Sequence, residues 1–66
     1  MDFRIEIDRE EDGRWIAEIP ELPGVLAYGS TKEEAISATE ALALRVIADR
    51  MEKDKSAYSS INFAHA

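Results

Sequence analysis

DGRWIAEIPELPGV, residues 12–25, is the stretch of sequence that decides the fold of this chain. Asp12-Gly13 is typical of a tight turn, because aspartate tolerates left-handed backbone geometry and glycine favours it. Apolar and polar residues then alternate over 15–19, with Ile16 as the exception on the polar face, which predicts a strand with one buried and one exposed face. The two prolines of segment 20–24 have no N–H to donate, so this segment predicts a loop or a sharp corner.

The flanking sequence predicts the other strands. Residues 2–8 alternate between apolar and polar side chains, so they predict a first strand that forms an antiparallel hairpin with the second. Residues 25–28 predict a short third strand that ends at Gly29. The closing segment 61–66 begins with a further alternation and predicts a short last strand.

A helix is predicted between the third and last strands. Ser30 and Thr31 are both candidate N-caps, because each is followed three residues later by a glutamate. The helix then extends to about 51–54 with no proline or glycine inside it. The order predicts an α+β fold (β-β-β-α-β) with an antiparallel three-stranded meander, one helix on its face and a short closing strand. We expect residues 1–66 to form a single domain.

The predicted helix has two apolar stripes. The broad one is expected to cover the sheet and consists of Ala35, Ile36, Thr39, Leu42, Ala43, Val46 and Ile47. The narrow one lies on the opposite side, with spacings of four and three typical of a helix–helix seam, and consists of Ser37, Ala41, Leu44, Ala48 and Met51. Alanine is also simply a good helix former. Leu44 and Met51 on successive turns are what favour a self-association surface.

Negative charge is concentrated in the first half of the chain. The net charge is -6, and residues 1–34 hold 10 acids and 4 bases, whereas residues 35–66 hold 4 of each. Nucleic-acid binders need Lys and Arg to neutralise phosphates, so we expect no direct binding to nucleic acid. The acids favour a basic protein partner, although acids also serve to keep a small protein soluble.

The content of cysteine and histidine limits the possible sites. The absence of cysteine excludes disulfides and thiolate metal sites, and it is compatible with a reducing compartment. His65 is the single histidine and cannot form a metal-ligand cluster by itself. We therefore expect no metal, no other cofactor and no catalytic residue. Because a core of this size supplies little stability, oligomerisation is the expected additional support.

Targeting and membrane signals are not apparent in the sequence. No apolar run approaches the roughly 18 residues that span a bilayer. The N-terminal residues 1–4 lack the basic and then apolar layout of a signal peptide. We expect a cytoplasmic protein that does not bind membranes.

Two segments carry a family resemblance. Residues 12–25 combine a D-G hairpin turn with a P-x-L-P-G corner. Residues 28–35, YGSTKEEA, contain a glycine, then the Ser-Thr pair at the helix start, and then Glu-Ala. Together these motifs resemble the HicB family of antitoxins, and the resemblance covers nearly the whole chain. The joint pattern is more specific than a P-x-L-P-G corner alone.

The resemblance implies both a fold and a function. HicB proteins have a partial double-stranded-RNA-binding or RNase H-like fold, which would place the last strand beside the first. Each binds a small basic HicA toxin, an mRNA interferase with a catalytic histidine, and blocks its RNA-binding surface. Many carry a C-terminal ribbon-helix-helix or helix-turn-helix DNA-binding domain. Since the sequence stops at Ala66, DNA binding and control of an operon are not among our expectations.

The predicted function is therefore binding without catalysis, by a chain that is a homodimer or a higher homo-oligomer. The predicted contacts with a HicA-like toxin are acids on the polar side of the hairpin and at its corners: Glu11, Asp12, Glu18 and Glu21. One alternative is a structural or regulatory homo-oligomer without a toxin. A remote alternative is an RNase H-like metal nuclease, for which Asp8 and Glu40 are the plausible carboxylates.

Overall fold

A computed structural model describes residues 1–58 and 60–65. The elements follow the predicted order and are β1 (Asp2–Arg9), β2 (Trp15–Glu18), β3 (Leu26–Gly29), α1 (Lys32–Asp54) and β4 (Asn62–His65). The strands form a mixed sheet in the order β3-β2-β1-β4, and α1 packs against one of its faces. The predicted α+β fold is confirmed, including the position of the last strand beside the first.

The β1–β2 hairpin closes through the predicted D-G turn. The Gly13 N–H donates to the carbonyl oxygen of Glu10 at 3.0 Å, and Gly13 has a φ of 92°. Such a backbone conformation is strained for a residue with a Cβ atom, which explains why glycine follows Asp12. The strands are antiparallel, with Glu6 opposite Glu18 and Arg9 opposite Trp15.

The proline segment turns the chain sharply between β2 and β3. The Leu22 N–H donates to the Ile19 carbonyl, and the Val25 N–H donates to the Leu22 carbonyl, both at 3.0 Å. The apolar side chains of Ile19, Leu22 and Val25 are buried at this corner. Val25 therefore belongs to the turn, and β3 begins one residue later than predicted.

The helix begins at the second of the two predicted caps. Thr31 is the N-cap, and its side chain accepts a hydrogen bond from the Glu34 N–H at 3.1 Å. The Glu34 carboxylate reaches back to accept from the Ser30 N–H at 2.9 Å. Both bonds satisfy backbone donors that a helix start would otherwise leave without partners. Lys55, with a φ of 54°, ends the helix in a left-handed conformation.

The core lies between α1 and the facing side of the sheet. It contains the predicted residues of the broad helix stripe and of the hairpin, and its buried members are Phe3, Ile5, Ala17, Ile19, Leu22, Val25, Ala35, Ile36, Ala43 and Ile47. Trp15 is half-buried and packs against this cluster, as its place in the alternation predicts. Thr39 is fully buried, and its hydroxyl donates to the Ala17 carbonyl, which ties the helix to β2.

The closing strand β4 runs parallel to β1, with Phe3 opposite Phe63. The two rings stack with their centroids 5.9 Å apart, and the Asn62 amide donates to the Asp2 carboxylate on the other sheet face. The predicted segment 61–66 thus forms its strand over Asn62–His65, and Ala66 lies outside the described residues. Within the described residues, no helix is both long and apolar enough to cross a membrane.

Candidate protein-interaction surfaces

The sheet face that α1 does not cover presents a mixed acidic and apolar surface, which we call the open face. It follows from the strand alternation, because every second side chain points away from the helix. Its members are Asp2, Arg4, Glu6 and Asp8 from β1, Ile16 and Glu18 from β2, Leu26 and Tyr28 from β3, and Asn62 and Ala64 from β4.

Acidic side chains face each other at the centre of the open face. Glu6 on β1 is directly opposite Glu18 on β2, and both are exposed. Like charges at opposed positions of an antiparallel pair destabilise the sheet. Arg4 offsets part of this repulsion, since its guanidinium lies 3.4 Å from the Glu6 carboxylate. The fold thus places two like charges opposite each other, where their repulsion opposes its stability.

An apolar area adjoins these acids. Ile16 is opposite Tyr28, and Leu26 follows on the same side of β3. Leu26 is 40% exposed and Tyr28 is 45% exposed, so both offer apolar area to a partner. Ile16 was the exception in the predicted alternation of β2, and its place in this apolar area explains it.

The hairpin turn is joined to this area through Arg14. Its guanidinium Nε donates to the Asp12 carboxylate at 2.7 Å, and its Cζ atom lies 4.6 Å from the centroid of the Tyr28 ring. The other Asp12 carboxylate oxygen accepts from the Arg14 N–H at 3.0 Å. The backbone hydrogen bond from Arg14 is the main cause that lowers the pKa of the Asp12 carboxyl below its ordinary value of 3.8.

The four predicted toxin contacts are all exposed, but they do not form one cluster of equivalent groups. Asp12 holds the hairpin turn, and Glu21 accepts from the Arg4 N–H at 3.2 Å, where β1 extends beyond its pairing with β2. These two carboxylates therefore already have structural roles. Glu11 and Glu18 accept no hydrogen bond from residues 1–58 or 60–65, so they remain the better candidates for contacts with a basic partner.

The narrow helix stripe is divided between surface and core. Ser37, Ala41, Leu44 and Ala48 are exposed, and Leu44 retains 48% of its accessible area. Met51 differs, because it is half-buried and packs against the core cluster. Leu44 is thus the one large apolar side chain of this stripe that is exposed, and the self-association surface stays a prediction.

The residues considered for catalysis are separated by the sheet. Asp8 lies on the open face, whereas Glu40 lies on α1, which packs against the opposite face. Among residues 1–58 and 60–65, no three Asp, Glu or His side chains lie close enough together to hold a metal ion. A shallow groove of about 480 Å³ is lined by both charged and apolar groups of Arg4, Ile5, Glu6, Ile7, Trp15 and Lys32.

Comparison with known proteins gives one partial similarity. A UPF0150 protein from the archaeon Thermoplasma acidophilum is 39% identical over 36 residues, which cover 54% of this chain. The chain spans about half the length of this curated relative, with 52% of it aligned. No family model matches the chain, and no solved structure matches it.

Proposed function

We propose that this chain is a HicB-like antitoxin module that binds a small basic HicA-type mRNA interferase and covers its RNA-binding surface. The observation that carries the proposal is the acidic open face, where Glu6 and Glu18 are opposed although their repulsion weakens the sheet. A basic partner would relieve that repulsion on binding. Acids held on a rigid sheet would also steer such a partner and increase its rate of association.

Two further findings support the family part of the proposal. The motifs at 12–25 and 28–35 resemble HicB proteins, and they form the D-G turn, the proline corner and the helix start of the structure. UPF0150, the name of the partially similar archaeal protein, corresponds to HicB-like, antitoxin-like domains. The proposed inhibition is steric, takes place in the cytoplasm and needs no metal or other cofactor.

The test is co-expression of the full chain with a HicA-type toxin encoded beside its gene. We expect growth to be rescued and the two proteins to purify together. The variant Glu18→Lys should weaken the complex. Cells that express it should therefore stop growing at a lower level of toxin expression than cells with the native chain. Glu52→Lys is the matched control, because it makes the same charge change at an exposed position of α1 remote from the open face.

Failure to form a complex and to restore growth would contradict the antitoxin proposal. The rival function is that of a structural or regulatory homo-oligomer without a toxin, which the exposed Leu44 on α1 favours. The neighbouring genes distinguish the two functions, because an antitoxin is expected beside a gene for a basic HicA-type protein, whereas the rival function requires no such gene.

A further inference from the structure

The strand β3 forms one edge of the sheet. In the order β3-β2-β1-β4, it pairs with β2 on one side and with no described strand on the other. Both flanking segments of β3 belong to the described residues, so this edge is fully defined over Leu26–Gly29. An edge strand offers a row of backbone N–H and C=O groups that another strand can pair with.

The hydrogen-bond pattern shows which groups of β3 point outward. The Ile19 N–H donates to the Val25 carbonyl at 3.0 Å, so these two residues, one position beyond β2 and β3, occupy a hydrogen-bonded position of the β2–β3 ladder. Such pairs alternate along an antiparallel ladder with pairs that exchange no hydrogen bonds. Ala27 therefore points its backbone groups toward β2. The backbone N–H and C=O groups of Leu26 and Tyr28 therefore point away from β2, toward the open edge of the sheet.

The edge strand is short, with four residues, but it carries neither a charged side chain nor a proline to prevent pairing. The sequence of β3, Leu26-Ala27-Tyr28-Gly29, contains no lysine, no proline and no charged residue. Its two outward-directed residues also carry exposed apolar side chains, Leu26 and Tyr28. Sheet edges are normally protected by charges, prolines or bulges, so an edge without them is suited to a strand partner.

We infer that β3 pairs with β3 of a second copy of this chain, antiparallel and about a two-fold axis at Ala27. In this register, Leu26 of one copy is opposite Tyr28 of the other, and each N–H donates to the carbonyl of the opposed residue. The two-fold axis generates the same pair of hydrogen bonds a second time. All outward backbone groups of Leu26 and Tyr28 are then satisfied. The inference goes beyond the proposed function and does not depend on it.

Side chains are complementary in this register. Leu26 lies directly opposite Tyr28 of the second copy on the open face, and apolar pairs at opposed positions stabilise a sheet. The central Ala27 side chain lies on the helix side of the sheet, where its small size permits the close approach of about 4.5 Å between Cα atoms at such a position. Both helices then lie on the same side of the joined sheet.

The absence of charged residues in β3 limits the charge repulsion between two copies at this edge. Each chain carries a net charge of -6, so two copies repel each other wherever their acidic surfaces meet. The strand β3 is uncharged, with the Arg14 guanidinium over Tyr28 and the Glu18 carboxylate of β2 on the same face as Leu26, which it lies opposite. Pairing at β3 keeps the opposed acids Glu6 and Glu18 away from the axis, because β2 and β1 lie further from it.

The experiment measures the mass of the full chain in solution over micromolar to millimolar concentrations, together with amide hydrogen exchange. We expect a species of twice the 7.4 kDa chain mass. The amides of Leu26 and Tyr28 should be protected in the dimer and exchange rapidly on dilution, because both point away from β2 and pair with no other described strand.

Variants then separate this edge from the helix surface. Tyr28→Pro removes an outward N–H without breaking the ladder to β2, and it should raise the dimer Kd by about 10- to 100-fold. Leu26→Lys is the second variant, because it keeps the backbone donor and adds a charge that opposes pairing. Leu44→Glu on α1 should leave the dimer intact.

Three results would overturn the inference. One is a monomer at every concentration, and another is a dimer in which the Leu26 and Tyr28 amides exchange as fast as in the monomer. The third is dissociation by Leu44→Glu with no effect of Leu26→Lys, which would assign self-association to the helix. Binding of a HicA-type toxin is read separately, so a monomer that binds the toxin would overturn only the β3 pairing.

Discussion

The hydroxyl of Thr39 on α1 donates a hydrogen bond of 2.9 Å to the carbonyl oxygen of Ala17 on β2. Both residues are fully buried, and Thr39 is the one buried polar side chain of the described core. A hydrogen bond in this setting fixes the position of the helix along the sheet as well as adding stability.

Replacing Thr39 therefore tests how the two layers are held together. Thr39→Val keeps the shape of the side chain but removes the donor, so we expect a loss of about 1 kcal/mol in the free energy of unfolding. Thr39→Ser keeps the hydroxyl and is the control for the hydrogen bond. Urea denaturation measures both, and equal stability of Thr39→Val and the native chain would remove the anchoring role.

Gly29 allows the end of β3 to approach the start of α1. A Cβ atom at this position would lie 2.5 Å from the Ala35 backbone nitrogen and 2.8 Å from the Glu34 Cβ. Because the obstructing atoms belong to the helix itself, Gly29→Ala should destabilise the fold by about 1–3 kcal/mol.

Gly24 provides the control for this prediction. Its φ is 84°, and apart from its chain neighbours no described residue has an atom within 4 Å of an added Cβ, so Gly24→Ala is strained in its backbone alone. We expect that variant to cost about 1 kcal/mol. Thermal unfolding of both variants compares the two effects, and a larger loss for Gly24→Ala would contradict the importance of the close approach.

The opposed pair Glu6 and Glu18 is expected to lower the stability of the fold while it favours binding of a basic partner. Glu18→Gln removes the repulsion across the β1–β2 pair and should raise the free energy of unfolding by roughly 0.2–1 kcal/mol. The same variant should slow association with a basic partner and reduce its dependence on salt. Glu52→Gln is the control, since it removes a charge without changing the open face. A Glu18→Gln protein that is less stable than the native chain would contradict the predicted repulsion.

Asp12 makes the hairpin turn sensitive to acid. Its folded-state pKa is lowered mainly by the backbone hydrogen bond from Arg14, so its contribution to stability is present above the unfolded pKa. That contribution is lost as the pH falls below 3.8 and through the folded pKa. A titration of the Asp12 carboxyl carbon by NMR should show the lowered pKa. The variant Arg14→Ala keeps the backbone N–H at position 14 but loses the guanidinium, so the pKa of Asp12 should rise only part of the way to its ordinary value.

Leu44 and Met51 should respond differently to truncation, although both belong to the narrow helix stripe. Met51 packs against the core, so Met51→Ala should cost about 1–2 kcal/mol. Leu44 is 48% exposed, and Leu44→Ala should change stability by less than about 1 kcal/mol. Denaturation below the concentration of self-association measures both losses, and equal losses would contradict the different burial of the two residues.

The acidic chemistry of the candidate surface was predictable from the sequence, whereas the arrangement of its side chains was not. The acids of the hairpin were recognisable from composition, yet nothing in the chain order indicated that Glu6 would oppose Glu18. The structural use of Glu21 was also not predictable, because its partner is a backbone N–H 17 residues away. The apolar area of Ile16 and Tyr28 depends on strand pairing, and the single sign of it in the sequence was the irregular alternation of β2.

The sequence by itself determined the elements and their order, because these depend on local signals. Alternation defines β1 and β2, the D-G pair defines their turn, and the Thr31 cap with Glu34 defines the helix start. Only the tertiary structure decided the register of the strands, the burial of Met51 and the outward direction of the Leu26 and Tyr28 backbone. These properties arise from pairing between residues distant in the chain, where one step of register exchanges the two faces of a strand.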